Sequence, residues 1–124
     1  MTLSFPLSIS VSGESVSRVE LKGELDVYTA PKLIAVLSDL LEQGCGRIVI
    51  DLSRLQFIDS VGLGTLIKYD REAAGTGGGL VLMDPSAQVR KVLRITALDQ
   101  HLRIEFTGSV NRDRVCMMRE AGYA

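Results

Sequence analysis

Residues 48–67 read Ile-Val-Ile-Asp-Leu-Ser-Arg-Leu-Gln-Phe-Ile-Asp-Ser-Val-Gly-Leu-Gly-Thr-Leu-Ile, and the change of hydrophobic period inside this stretch decides the fold class. Ile48-Val49-Ile50-Asp51-Leu52 is almost continuously apolar and β-branched, the pattern of a central strand covered on both faces in a parallel sheet. Asp51 is unusual in such a strand; its place near the expected strand end gives its carboxylate a backbone N–H to bond. Leu55, Phe57 and Ile58 follow on the approach to Ser60. Leu63, Leu66 and Ile67 then recur at helical spacing, the core stripe of an amphipathic helix that fades near Ala74. The junction between the two periods places Ser60, exposed, at a helix N-terminus beside Asp59. Unpaired N–H groups and a partial positive charge there would accommodate a phosphate.

Outward from this junction the same reading applies. Residues 5–11 and 16–22 read as two strands joined by a turn at Ser12-Gly13. In the second, Val19 and Leu21 alternate with Arg18, Glu20 and Lys22, so one face is buried and one is wet. Gly23-Glu24-Leu25-Asp26 ends it. Thr29 as N-cap and Pro31 in the first turn open a helix whose stripe is Leu33, Val36, Leu37, Leu40 and Leu41, with Gly44 as its C-cap. After the glycine run 75–79, Leu80-Val81-Leu82-Met83 is another buried strand. Asp84-Pro85 reads as the start of a third helix with Val89, Val92 and Leu93 inward. Residues 102–106 alternate as an edge strand. The predicted order is ββαβαβαβ: an α/β domain over residues 1–106 with a mixed sheet of about five strands, a leading β-hairpin and three to four helices. Residues 107–124 read as a C-terminal extension, a short helix or flexible tail.

Composition bounds the function. The 124 residues suggest one domain; they are 46% hydrophobic, with a formal net charge of -1. With no basic run, neither a nucleic-acid binder nor a polybasic membrane anchor is expected. No stretch approaches the roughly 20 apolar residues of a membrane span, and the start does not read as a signal peptide. Cys45 and Cys116 have no paired spacing and read as reduced thiols, which with the missing export signal points to the cytoplasm. His101 is the only histidine, and no metal or catalytic set assembles around it. The glycine run lacks the Gly-Lys-Ser/Thr ending of a phosphate loop, and Gly62-x-Gly64 lacks the third glycine of a dinucleotide fingerprint. No cofactor is expected, and the chain does not read as an enzyme.

Three segments carry a resemblance. Gly23-Glu24-Leu25-Asp26, Ile48-Val49-Ile50-Asp51-Leu52-Ser53 and Phe57-Ile58-Asp59-Ser60-Val61-Gly62-Leu63-Gly64 look like the signatures of bacterial anti-sigma factor antagonists, which are STAS domains. The resemblance covers roughly residues 5–106. It implies a STAS fold and a partner-switching mechanism. The unphosphorylated antagonist binds an anti-sigma factor, often itself a serine kinase, and frees a sigma factor. Phosphorylation breaks the complex, and a serine phosphatase resets it. The phosphorylated serine maps onto Ser60, and the nearby aspartate of the family maps onto Asp26. The family usually carries Ser or Thr after the phosphorylated serine; here Val61 leaves one hydroxyl in the motif.

The expected partner surface is Asp26, Tyr28, Thr29, Asp59, Ser60, Val61, Gly62 and Leu63. Simpler roles stand beside this. Ser60 on its own reads as a helix cap, Asp26 as a turn residue or cap, and Tyr28 and Thr29 as helix openers. Gly62 and Gly64 either leave the helix slim for a partner or serve close helix–strand packing. An alternative function is a non-switching STAS scaffold in a lipid-transport or signalling complex. The exposed edge at residues 102–106 could pair in a dimer, so a monomer or weak dimer is expected.

Overall fold

The computed structural model describes residues 7–13, 16–44 and 46–107. Along the chain run β1 (Ser8–Ser12), β2 (Ser17–Leu25), α1 (Ala30–Glu42), β3 (Arg47–Ile58), α2 (Ser60–Ala74), β4 (Gly79–Met83), α3 (Ala87–Ile95) and β5 (Arg103–Glu105), with a 3-10 turn at Leu98–Gln100. The order ββαβαβαβ is the one predicted. The expected tail at 108–124, both cysteines and the first residues of the leading strand lie outside the described residues.

The five strands line up in chain order, β1-β2-β3-β4-β5. β1 pairs antiparallel with β2, and every later pair is parallel. Alternation along the strands separates two apolar layers. Val19, Leu21, Ile48, Ile50, Leu80 and Leu82 join the inward faces of the helices, including Leu33, Leu37, Leu63, Leu66, Val89 and Leu93, in the main core. Val49, Val81 and Met83 project the other way and cluster with Val16. The near-continuous apolar runs of β3 and β4 serve both layers, as a parallel strand covered on both faces requires. Ser38 Oγ and Tyr69 Oη, 2.9 Å apart, link α1 to α2.

β3 differs most from expectation. It continues to Ile58 instead of ending near Leu52, which makes Asp51 a mid-strand residue. Register against β2 slips twice. Glu20 and Lys22 face Asp51 and Arg54, and Gly23 and Glu24 face Leu55 and Phe57. β3 thus holds one extra residue at each slip, the signature of a bulge. Burial accordingly recurs every third residue, at Leu52, Leu55 and Ile58, and Phe57 turns outward. Asp51 does accept from a backbone N–H, that of Ser53, at 2.9 Å. Its second oxygen takes Arg18 Nη2 at 2.6 Å, a partner that pattern reading did not supply.

Helix starts also need correction. Asp59, not Ser60, caps α2. α3 begins at Ala87 behind Ser86, whose hydroxyl donates to Leu55 O at 2.6 Å, and not at Asp84-Pro85. Asp84 instead adopts a positive φ of 50° and bonds Thr107. Thr29 occupies the cap position of α1 without bonding that helix's amides. Gly44, at φ +87°, lies one residue beyond the Gln43 cap, where a left-handed residue ends a helix.

Candidate functional site

The junction read from the sequence lies where the C-terminal ends of β2 and β3 meet the first turn of α2. Asp59 holds it together. Its Oδ1 accepts from Gly62 N at 2.9 Å, the N-cap bond of α2. Its Oδ2 accepts from Val27 N at 3.0 Å, 32 residues away. Its own N–H donates to Leu25 O at 3.1 Å. One aspartate therefore caps the helix and pins the loop after β2 against it.

That loop is organised by Asp26. Its Oδ1 accepts from Tyr28 N at 2.9 Å and from Thr29 N at 3.0 Å, an Asx-type turn, and lies 3.2 Å from Thr29 Oγ1. Thr29 Oγ1 donates to Glu24 O at 2.8 Å and accepts from Asp26 N at 2.9 Å. Both side chains are turned into their own loop, each 8% exposed. Gly62 and Leu63 also face inward. A Cβ on Gly62 would come within 2.8 Å of Leu25 Cγ, 2.9 Å of Ile58 Cγ1 and 2.9 Å of the Leu25 carbonyl oxygen. Of the two roles open to Gly62, close packing of α2 on β2 is the one these distances describe. Gly64 has nothing within 4 Å of a built Cβ and stays open to solvent.

What faces outward is a different set. Ser60 is exposed as the first residue of α2, and its hydroxyl bonds no described residue. Also exposed on the segments that meet here are Tyr28, at 81%, and Val61, at 41%. Val27 at 51% and Phe57 at 47% were missed in the sequence. Phe57 stands on the odd-numbered face of β3 with Val49 and Asp51, a parity that the two slips together restore. Val27 was hidden because only the Asp59 bridge places its loop beside α2. A serine hydroxyl on two linked segments bearing four exposed apolar side chains is the composition of a docking patch. The amides of Ser60 and Val61 have no carbonyl of their own helix to bond, so the patch also presents a weakly positive helix end.

Removing the Asp59 bridge has a measurable cost. Asp59→Ala loses the cap and the Val27 bond together and is expected to destabilise the domain by about 1–2 kcal/mol. Asp59→Asn keeps a capping oxygen and is expected to lose less than half of that. Urea unfolding of the two variants checks this; equal losses would show that capping geometry is not what Asp59 supplies.

Among the described residues no group of three or more His, Cys, Asp or Glu side chains is placed to hold a metal ion, and no helix is long and apolar enough to cross a membrane.

The comparisons bear on this geometry. The family described as "Mlab, STAS domain" matches residues 9–120. The anti-sigma-B factor antagonist of Staphylococcus aureus (strain NCTC 8325 / PS 47) is 29% identical over 86 residues, 69% of this chain and 80% of that protein. Its Staphylococcus epidermidis counterpart is 25% identical over 95 residues, 77% and 88% of the two chains. Among solved structures, the anti-sigma factor antagonist SpoIIAA in its unphosphorylated form is similar with a TM-score of 0.74 at 25% identity, covering 92% of this chain and 96% of that one. An anti-sigma factor antagonist from Mycobacterium paratuberculosis gives 0.71 at 29% identity, covering 92% and 97%.

Proposed function

The chain belongs to the STAS domain family, and from that premise we propose that it is an anti-sigma factor antagonist, controlled by phosphorylation of Ser60. The relatives named as antagonists span most of its length. The observation that carries the reading is the Ser60 hydroxyl, exposed at the start of α2 and bonding no described residue, with Val27, Tyr28, Phe57 and Val61 exposed on the segments that Asp59 links.

In this reading the unphosphorylated face docks on an anti-sigma factor of the serine-kinase type, and the sigma factor is released. Tyr28 and Val61 supply buried apolar contact. Asp26, Thr29, Asp59, Gly62 and Leu63 act behind the surface: they shape the loop and seat the helix that presents Ser60. The kinase then transfers a phosphoryl group. Ser60 Oγ bonds to the γ-phosphorus of ATP, the bond to the ADP oxygen breaks, and the hydroxyl proton passes to a base of the kinase. The product carries about -1.5 to -2 charges beside the Asp59 carboxylate. The helix end tolerates this charge in water, but an apolar interface does not. The complex separates with no rearrangement of this domain's backbone, and a serine phosphatase restores the hydroxyl. The chain is a substrate of the switching enzymes and not a catalyst, and the cycle is cytoplasmic.

A second reading, a STAS scaffold that does not switch, is favoured by one observation: the matching family is described by Mlab and not by an antagonist. Affinity capture from native lysate with Ser60→Ala and Ser60→Asp baits, followed by mass spectrometry, separates the two. Retention of a kinase-like anti-sigma factor by the Ala bait alone supports the switch. Identical captures by both baits reject it in favour of the scaffold.

A further inference from the structure

A second polar site lies at the opposite end of the sheet. Arg47, Asp70, Gly78, Gly79, His101 and Arg103 line a pocket of about 240 Å³ where β3, β4 and β5 begin. Arg47 pairs with Gly79 and Arg103 with Val81, so the two arginines flank β4. Strand alternation sets them on one face, that of Val49 and Val81. Between them Gly78 and Gly79 offer backbone only, and a Cβ on Gly79 would meet Asp70 Oδ1 at 3.5 Å. Gly78 has no latitude there: a Cβ would overlap the Gly46 carbonyl.

The electrostatics of the pocket are unbalanced. Neither guanidinium makes a hydrogen bond or ion pair with any described residue. Asp70 is the one lining carboxylate, and its Oδ1 already accepts from Leu80 N at 3.0 Å. Two arginines therefore line the pocket with one partly engaged carboxylate, which α2 carries on the helix-covered side of the sheet. Like charges held around a small cavity repel, and a dianion between them removes that repulsion. Guanidinium presents paired N–H donors that match phosphate oxygens, and His101 adds a ring donor.

We propose that this pocket binds a phosphate group, either free or as a small phosphate monoester. Its volume is below the usual range for drug-sized ligands, and it suits a phosphate with a short substituent. It is separate from the Ser60 patch: Arg47 opens β3 and Ser60 follows its end, a strand of 12 residues spanning roughly 35–40 Å.

The test is a titration of the full chain by amide NMR with inorganic phosphate, glycerol phosphate and sodium chloride. Saturable shifts at His101 and Arg103, with a Kd of about 1 mM or tighter, are expected for at least one phosphate and not for chloride. Tighter binding of glycerol phosphate assigns an ester; equal or weaker binding assigns free phosphate. Arg47→Gln and Arg103→Gln should each weaken binding about tenfold or more. Asp70→Asn keeps the acceptor for Leu80 N while removing the opposing charge, and should tighten binding several-fold, a gain that misfolding does not produce. Shifts that do not saturate, that chloride reproduces, or that persist unchanged in both arginine variants overturn the proposal.

Discussion

Ser60→Asp is expected to bind the anti-sigma partner at least about a hundredfold more weakly than Ser60→Ala, with no loss of its own stability. The affinity term follows from what docking must bury. Tyr28, Val61, Val27 and Phe57 are exposed on the two segments that Asp59 joins beside Ser60, so a partner that docks across both segments also strips water from position 60. The alanine methyl loses nothing there. A carboxylate without a facing cation loses its hydration, and even ~3 kcal/mol of that penalty amounts to more than a hundredfold in affinity. Asp59 offers no relief, since both of its oxygens are engaged and it carries the same sign. The stability term has the opposite sense. An acidic side chain in the first turn of α2 interacts favourably with the helix dipole, so thermal unfolding of Ser60→Asp should match or slightly exceed that of Ser60→Ala. Calorimetric titration of the partner identified by capture, paired with a melting curve, reads both. Equal affinities would remove Ser60 from the switch.

The largest effect on the fold is expected at Leu25. Its side chain is fully buried in the main core, lies where a Cβ on Gly62 would press, and its carbonyl receives the Asp59 N–H. Leu25→Ala removes apolar contact and leaves a cavity under the first turn of α2, at a cost of about 3 kcal/mol. The reverse perturbation is Gly62→Ala. Its methyl overlaps the Leu25 carbonyl as well as two side chains, a strain of about 1–3 kcal/mol, offset in part by alanine's better helix propensity. Denaturant midpoints give both values. If Gly62→Ala were stabilising, the tight seat of α2 on β2 would be wrong.

Both predictions rest on contacts of different legibility. The element order, the central strands Ile48–Leu52 and Leu80–Met83, and the inward stripe of α1 were readable because apolar period is a local property of the chain. So was the place of Ser60 at a strand-to-helix junction. Phe57 was read only as part of the approach to Ser60, with no face assigned to it. A period-two reading holds only until a bulge, and the first of the two slips in β3 brings Leu55 to the core side with Leu52. Asp26 and Thr29 were open between partner contact and turn chemistry. Their hydrogen bonds show them organising the turn, and Tyr28 and Ser60 are what that turn and the Asp59 cap expose.

The sequence by itself determined which residues lie in the core, in what order strands and helices follow, and which hydroxyl stands at the head of α2. These depend on periodicity and on caps within a few residues. Tertiary structure alone decided that Asp59 bonds Val27, that Arg18 meets Asp51 across 33 positions, and that Arg47 and Arg103 flank one glycine-floored pocket. Each of those pairings depends on strand register, and register is set by the packing of the whole sheet, bulges included, which no local pattern encodes.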